Sequence, residues 1–99
     1  MLIGLKDLYE VKSNRESGLG RYNVMLIPKN KQALGLIIEF KKIGPFKKMD
    51  MKAAANSAMQ QIEEKKYVQE LVDRNIERIL YLAIVFKKKN VLILSKFRP

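Results

Sequence analysis

Two short apolar runs constrain what this chain can fold into. They are GLIIEFKK, residues 35–42, and RILYLAIVF, residues 78–86. Because successive side chains of a strand point to opposite faces, a run that is apolar at nearly every position needs cover on both faces. Each run therefore predicts a buried strand, and the first run should be central in a sheet. Both are far shorter than the roughly 18 residues of a membrane span.

A helix is predicted between these two strands. From Met51 to about Asp73 the chain contains no glycine or proline, and small or apolar residues recur at helical spacing. Asp50 is a suitable N-cap for this helix. The order strand, helix, strand favours a parallel pairing of the two apolar strands.

Shorter segments complete the predicted fold. The start, MLIGLKDL, predicts a helical stub, and the strands LYEVKSNRES and RYNVMLIP follow, separated by the turn GLG at 18–20. The segment VLILS predicts a final strand. With 99 residues, we expect one domain over 1–99. The fold class is α/β (α+β), with a central mixed sheet flanked by helices.

Charge is the strongest compositional signal. Twenty Lys and Arg against ten Asp and Glu give a net charge of +10, which favours a polyanionic partner such as nucleic acid. The alternative is a solubilising surface with lysine-capped edge strands. No segment combines a basic face with bulky apolar anchors, so membrane-surface binding is disfavoured. The basic groups occur at 41–42, 47–48, 87–89 and 96–98.

The residue types that the chain lacks exclude several chemistries. It has no cysteine and no histidine, which excludes disulfides, thiolate nucleophiles, imidazole bases and Cys/His zinc sites. Any metal must be held by oxygen ligands, which suits Mg²⁺ or Mn²⁺. The lack of cysteine is compatible with the reducing cytoplasm, the location that we expect.

Three polar residues interrupt the apolar pattern. Glu39 and Lys41 share one face at the end of the central strand, where a carboxylate needs a partner or a cation unless the strand has left the core and the two form a surface ion pair. Asn23 is out of pattern in RYNVMLIP, either as part of the same site or as a residue bonded to local backbone. Gln61 lies on the stripe of Ala54 and Ala58, where it either needs a partner or is solvated.

Together these residues resemble the PD-(D/E)XK nuclease superfamily, most closely the nuclease-like domain that is often fused behind AAA-type ATPase domains. That pattern reads roughly E-S-G-x-G-R-x-D, then apolar-E-x-K, then a helix with Q-I and a nearby Tyr. The resemblance extends from about Tyr9 to Leu94. An E-x-K alone is unspecific, whereas the combination with the hairpin and helix is more specific. The matching residues are Glu16, Ser17, Gly18, Gly20, Arg21, Glu39, Lys41, Gln61, Ile62 and Tyr67.

The resemblance implies a restriction-endonuclease-like core in the order αβββαβ, here with a truncated first helix and an extra terminal strand. It implies Mg²⁺ or Mn²⁺ held by Glu39, the position of Asn23, and Glu16 in preference to Glu10. Lys41 is then the group that orients water or stabilises the transition state, and Gln61 steadies the strand or a phosphate. The implied partner is DNA, with a homodimer and an ATPase domain in relatives as further expectations. The residues expected to contact DNA phosphates are Arg21, Lys42, Lys47, Lys48, Lys65, Lys87, Lys88 and Lys89.

One departure from the pattern decides between functions. Asn23 stands where the motif has Asp, and an amide brings no charge to a metal site. The chain is then an inactivated DNA-binding relative, a nuclease with weak metal affinity, or a chain with an introduced substitution. The function predicted is a Mg²⁺-dependent DNA endonuclease. The alternatives are a non-catalytic nucleic-acid-binding module and a small structural or assembly protein.

Overall fold

The computed structural model describes residues 4–16, 21–44, 46, 48–64 and 67–98. The single helix expected over 51–73 is described as two helices, and residues 65–66 between them lie outside the described part. The elements are α1 (Leu5–Leu8), β1 (Tyr9–Glu16), β2 (Arg21–Pro28), β3 (Gly35–Ile43), α2 (Met51–Glu64), α3 (Tyr67–Asp73), β4 (Ile79–Lys87) and β5 (Asn90–Phe97).

The five strands form one mixed sheet in the order β1-β2-β3-β4-β5. The β3–β4 pair is parallel, and the other three neighbouring pairs are antiparallel. The predicted central position of β3 and its parallel pairing with β4 are both confirmed. The two strands with two apolar faces, β3 and β4, both lie inside the sheet, and β1 and β5 form its edges.

One face of the sheet is covered by helices. Residues at odd positions of β3 and β4 are the more buried ones, with Ile37, Glu39 and Ala83 almost completely enclosed. Helix α2 packs on this helix-covered face against β3 and β4. Its buried residues are mostly small, which lets its backbone approach the sheet closely; they are Ala54, Ala55, Ala58 and Ile62.

The N-terminus of α2 and the C-terminus of α3 are both capped. The Asp50 carboxylate accepts a hydrogen bond from the Lys52 amide at 3.4 Å, which confirms Asp50 as the N-cap of α2. After α3, Asn75 has a φ of 63°. The Ile76 amide donates to the Leu71 carbonyl at 3.0 Å, and the Asn75 amide donates to the Val72 carbonyl at 2.9 Å. This is a Schellman motif, and it directs the chain from α3 into β4.

The helix-covered face holds two apolar clusters. The first cluster is formed by Met25, Ile27, Ile37, Ile62, Leu71, Ile76, Ile79 and Tyr81. The second cluster is formed by Ile43, Ala54, Ala55 and Val85, with Met51, Leu92 and Leu94 packed against it. Along β3 the first cluster contains Ile37 and the second contains Ile43. The two residues of the same face between them are Glu39 and Lys41, so the polar pair divides the core.

The other face of the sheet carries apolar side chains from all five strands, and neither α2 nor α3 covers it. Tyr22, Phe40 and Phe86 stack across three neighbouring strands, with ring centroids 4.5 Å and 6.2 Å apart. We call this surface the open face. Its apolar members, placed there by cross-strand register, are Tyr9, Val11, Tyr22, Val24, Leu26, Pro28, Leu36, Ile38, Phe40, Leu80, Leu82, Ile84, Phe86, Val91, Ile93 and Phe97.

No helix in the described part of the chain combines the length and the apolar character that crossing a bilayer requires.

Ala55→Leu should lower the free energy of unfolding by about 1–3 kcal/mol, because the larger side chain overpacks the interface between α2 and the sheet. Ala55 is fully buried, whereas Ala53 on the same helix is exposed. Ala53→Leu is therefore the matched control, and it should change stability by less than about 0.5 kcal/mol. Urea denaturation followed by circular dichroism measures both, and equal effects would contradict the packing described here.

Candidate functional site

Asn23 and Glu39 lie directly opposite each other on β2 and β3. Directly opposite residues of an antiparallel pair share a face, and their Cβ atoms are about 4.5–5.5 Å apart. Both side chains are enclosed, with Asn23 1% and Glu39 0% exposed. The polar residue that breaks the pattern of β2 is therefore placed beside the carboxylate that breaks the pattern of β3.

Lys41 completes this polar group. It lies two residues after Glu39 on the same face of β3, half-buried, and its partner in the register is Arg21. The side chain of Arg21 lies outside the described residues. We call Asn23, Glu39 and Lys41 the strand triad. An amide, a carboxylate and an ammonium are thus gathered on two adjacent strands.

Small residues on the neighbouring elements surround the level of Glu39. On β4 its register partner is Ala83, which is fully buried. On α2, Ala58 lies between Ala55 of the second cluster and Ile62 of the first cluster. A larger side chain at 83 would compete with the carboxylate for space, because the two residues are register partners on adjacent strands. Sequence inspection missed the role of Ala83, because only the parallel register reveals its position.

The remaining predicted site residues are Gln61 and Glu16, with Glu10 as the less favoured alternative to Glu16. Gln61 is half-buried one turn after Ala58, adjacent to Ile62 of the first cluster. Glu16 ends β1 opposite Arg21, but its side chain lies outside the described residues. Glu10 is placed at the far end of β1, where its Oε2 is 2.7 Å from Arg74 Nη1. The preference for Glu16 over Glu10 is therefore consistent with the strand register, and the roles of Gln61 and Glu16 stay predictions.

The predicted phosphate-binding lysines fall into three groups. Lys87 lies beside Ile43 on the face of Lys41, and Lys88 and Lys89 form the exposed turn after it. Lys48 is exposed in the segment that leads from β3 to α2. Lys42 points to the open face, whereas Glu39 and Lys41 point to the helix-covered face, because successive side chains of a strand alternate. Lys47 and Lys65 lie outside the described residues.

Acidic residues are concentrated at the other end of the sheet. Most of the ten carboxylates lie towards the start of β3 and β4, and several form ion pairs there, such as Glu63 with Lys96 at 2.5 Å and Glu70 with Lys12. The end that carries Lys41 and the 87–89 turn is therefore strongly positive. Lys52, exposed in the first turn of α2, adds to this end and was not among the predicted residues. The carboxylates of the other end are Asp7, Glu10, Glu63, Glu64, Glu70, Asp73 and Glu77.

The oxygen donors of the strand triad suit a hard divalent cation only in part. Glu39 supplies a carboxylate and Asn23 an amide oxygen, both of which are ligands for Mg²⁺ or Mn²⁺. Among the residues that the structure describes, no three acidic, histidine or cysteine side chains are arranged so that they could hold a metal ion together. Mg²⁺ is usually bound through one or two carboxylates together with substrate phosphates. The donor set therefore fits such an ion when a phosphate supplies the remaining oxygens.

A shallow depression away from the strand triad is lined by Glu63, Tyr81, Lys96 and Arg98. Burial raises the pKa of Tyr81 from its usual value of 10.0. Because the phenol stays protonated at neutral pH, its hydroxyl is a hydrogen-bond donor and not a base. Tyr81 belongs to the first apolar cluster. Burial in this cluster accounts for the raised pKa of Tyr81, so no catalytic role is needed to explain it.

The family comparison agrees with the fold. The chain matches the model of a PD-(D/E)XK nuclease superfamily family over residues 1–96, and it belongs to that superfamily. The mixed five-stranded sheet with its helices is consistent with the restriction-endonuclease-like fold. Membership implies a nuclease-type function on a nucleic-acid substrate, and nucleases of this superfamily generally use divalent metals. No curated protein and no solved structure matches the chain significantly.

Asn23→Asp should convert the strand triad into a stronger metal site. Without metal, two carboxylates directly opposite each other should destabilise the fold by about 1–3 kcal/mol. With Mn²⁺ or Mg²⁺ in the millimolar range, the variant should gain far more in unfolding temperature than the wild type, since a ligand stabilises the state that binds it. Differential scanning fluorimetry with and without EDTA measures both effects.

The matched control is Asn56→Asp, which changes the same residue type at an exposed position of α2. This variant should show neither the destabilisation nor the response to metal. A metal response equal to that of Asn23→Asp would mean that the cation binds elsewhere.

Proposed function

We propose that this chain is a Mg²⁺-dependent DNA endonuclease that hydrolyses phosphodiester bonds. The observation that carries the proposal is the direct pairing of Asn23 with Glu39, with Lys41 on the same face. A divalent ion held by Glu39 and Asn23 would neutralise phosphate charge and acidify a bound water. The family membership supplies the nuclease class, and the oxygen-only donor set supports the choice of ion.

Lys41 is the proposed electrostatic partner of the reaction. Lys41 lies two residues after Glu39 on the same face of β3 and is half-buried, and its ammonium can donate hydrogen bonds to a phosphate oxygen or to the attacking water. In the reaction, the water would lose a proton to solvent as its oxygen forms a bond to phosphorus. The bond to the leaving sugar oxygen would break, that oxygen would take up a proton from solvent, and negative charge would grow on the phosphoryl oxygens. A fixed cation stabilises that charge more in the transition state than in the ground state.

The positive end of the sheet supports DNA as the substrate. Lys41, Lys48 and the 87–89 turn lie at the same end, and the carboxylates that would repel a polyanion are mostly at the other end. Contacts of this kind attract phosphates without regard to base sequence. We propose Lys48 and the lysines of the 87–89 turn, together with Arg21, as the residues that contact the DNA backbone next to the site.

A second candidate is a nucleic-acid-binding module without catalysis. Two observations favour it. Asn23 lowers the negative charge of the metal site, and both Asn23 and Glu39 are fully enclosed. A scissile phosphate must reach Glu39 for cleavage, whereas binding requires only the exposed lysines. A partner ATPase domain, as in the proteins that the chain resembles, is compatible with either candidate.

Lys41→Ala should reduce DNA cleavage by about 100-fold or more while DNA affinity changes little, because the residue acts mainly on the transition state. Plasmid nicking with Mg²⁺ or Mn²⁺, in the wild-type and the Asn23→Asp backgrounds, measures cleavage, and fluorescence anisotropy measures binding. Lys31→Ala, at the other end of the sheet, is the control and should leave cleavage unchanged. If neither background nicks DNA while both bind it, the non-catalytic module is the correct function.

Combined Lys88→Glu and Lys89→Glu should weaken DNA binding for all sequences alike and reduce the slope of log affinity against log salt by about 2. Lys29→Glu with Lys31→Glu makes the same change in net charge at the other end of the sheet. That control should have a much smaller effect. Equal losses in the two double variants would show that only the overall charge matters and not the proposed surface.

A further inference from the structure

Phe46 is the most exposed large apolar residue in the part of the chain that the structure describes, with 95% of its surface open to solvent. It lies in the segment between β3 and α2, and the proposed function does not use it. A single apolar residue on a surface needs no explanation by itself. Almost complete exposure of an aromatic ring, however, leaves both faces of that ring accessible for stacking.

The sequence around Phe46 is strongly basic. The stretch from 41 to 52 contains five lysines and one acidic residue, Asp50. Among these lysines, Lys48 and Lys52 are exposed. Proteins that bind single-stranded nucleic acid combine the same two elements, because aromatic rings stack on the bases while cations follow the phosphates. The composition of this segment therefore fits a nucleic-acid strand with accessible bases.

The fold adds a second group of lysines close to this segment. Ile43, the last residue of β3, is paired in register with Lys87, the last residue of β4. Phe46 follows Ile43 by three residues, so their two Cα atoms are at most about 11 Å apart. Lys88 and Lys89 follow directly in the exposed turn. Phe46 therefore lies at the positive end of the sheet, within reach of the 87–89 turn.

The two described ends of the chain lie at the opposite end of the sheet. The Leu8 carbonyl, just before β1, accepts a hydrogen bond from the Lys29 amide, just after β2, at 2.9 Å. The Arg98 amide donates to the carbonyl of Ile79, the first residue of β4, at 2.9 Å. Phe46 is separated from both by about the length of β4, roughly 26 Å. Its exposure is therefore set by the segment between β3 and α2.

An unpaired base fits this surface better than other polyanions do. In a duplex each base is covered on both faces by its neighbours, so no free face remains for the ring. A membrane anchor needs several bulky apolar side chains, whereas among the described residues between β3 and α2 only Met49, 43% exposed, adds to Phe46. An acidic protein segment would use the lysines and leave the ring in water. A single strand uses both the ring and the charges.

We propose that Phe46 stacks on an unpaired base of the DNA substrate, which therefore carries a single-stranded segment next to the bond that is cleaved. The inference rests on the proposed function for the choice of DNA as the partner, and it does not depend on cleavage. Lys41 and Phe46 are five residues apart, a span of at most about 18 Å. Successive phosphates of a strand are about 3.4 Å apart along a B-form helix, so the stacked base lies within about five nucleotides of the site.

Phe46→Ala should weaken the binding of a single-stranded oligonucleotide of about 12 nucleotides by about tenfold, because stacking on an aromatic ring contributes this much per base. A strand of the same length in which every nucleotide lacks its base carries the same phosphates, and the variant should bind it as the wild type does. Fluorescence anisotropy at fixed salt measures both affinities. Phe46→Trp should keep the wild-type affinity, and circular dichroism should show that both variants fold normally.

The control variant is Phe97→Ala, because Phe97 is 64% exposed and lies at the other end of the sheet, opposite Leu80. It should bind the oligonucleotide like the wild type. An equal loss of affinity for the base-free strand would overturn the proposal. So would an equal loss with polyglutamate, which would indicate an acidic protein partner.

The same measurements separate this inference from the proposed function. If the wild type binds duplex DNA and Phe46→Ala leaves the affinity for the single strand unchanged, the inference is wrong while the proposed function stands. If the predicted loss occurs in a chain that binds DNA without cleaving it, the inference holds and the nuclease activity does not. A wild type that binds neither form of DNA would overturn both.

Tryptophan fluorescence gives an independent test, since the chain contains no tryptophan. Phe46→Trp places a single indole at the proposed stacking position, and an unlabelled single-stranded oligonucleotide should quench its emission because a stacked base quenches indole fluorescence. The base-free strand should not. Phe97→Trp is the matched control and should respond to neither strand. Quenching at position 97 and not at position 46 would overturn the proposal.

Discussion

The structure depends on a carboxylate that is held inside a small core. Glu39 is enclosed between two apolar clusters and lies opposite Asn23, and burying an ion in such surroundings is costly without compensation. Its neighbours across the strands are Asn23 on β2 and the small Ala83 on β4, which leaves space for the carboxylate. An apolar side chain at position 39 would avoid the cost of burying a carboxylate. The arrangement is better explained by chemistry than by packing.

The two faces of the sheet differ in composition. The helix-covered face combines the core of the chain with the strand triad, and its positive end extends to the 87–89 turn. Among the described side chains, the open face is mainly apolar, with Lys42 at one end. The alternation of side chains in β3 separates them residue by residue, since Glu39 and Lys41 point to one face while Ile38 and Phe40 point to the other.

Much of the fold could be predicted because its signals are local. The apolar runs at 35–42 and 78–86 identified the inner strands, and the uninterrupted helical pattern between them implied their parallel pairing. Asp50 was recognisable as a cap. The position of Asn23 opposite Glu39 was not local information, because a shift of the hairpin by one residue would have turned Asn23 to the other face. The E-x-K motif and the family resemblance pointed to the pair, and the register brought it together.

The sequence by itself determined the class of chemistry. Without cysteine or histidine, only oxygen ligands and amines are available, and the charge of +10 favours a polyanion. The tertiary structure alone decided three things: the burial of Glu39 beside Ala83, the segregation of the carboxylates to the far end of the sheet, and the uncovered apolar face. Each depends on contacts between segments that are far apart in the sequence. Those contacts are set by strand order and register, which no single stretch of sequence encodes.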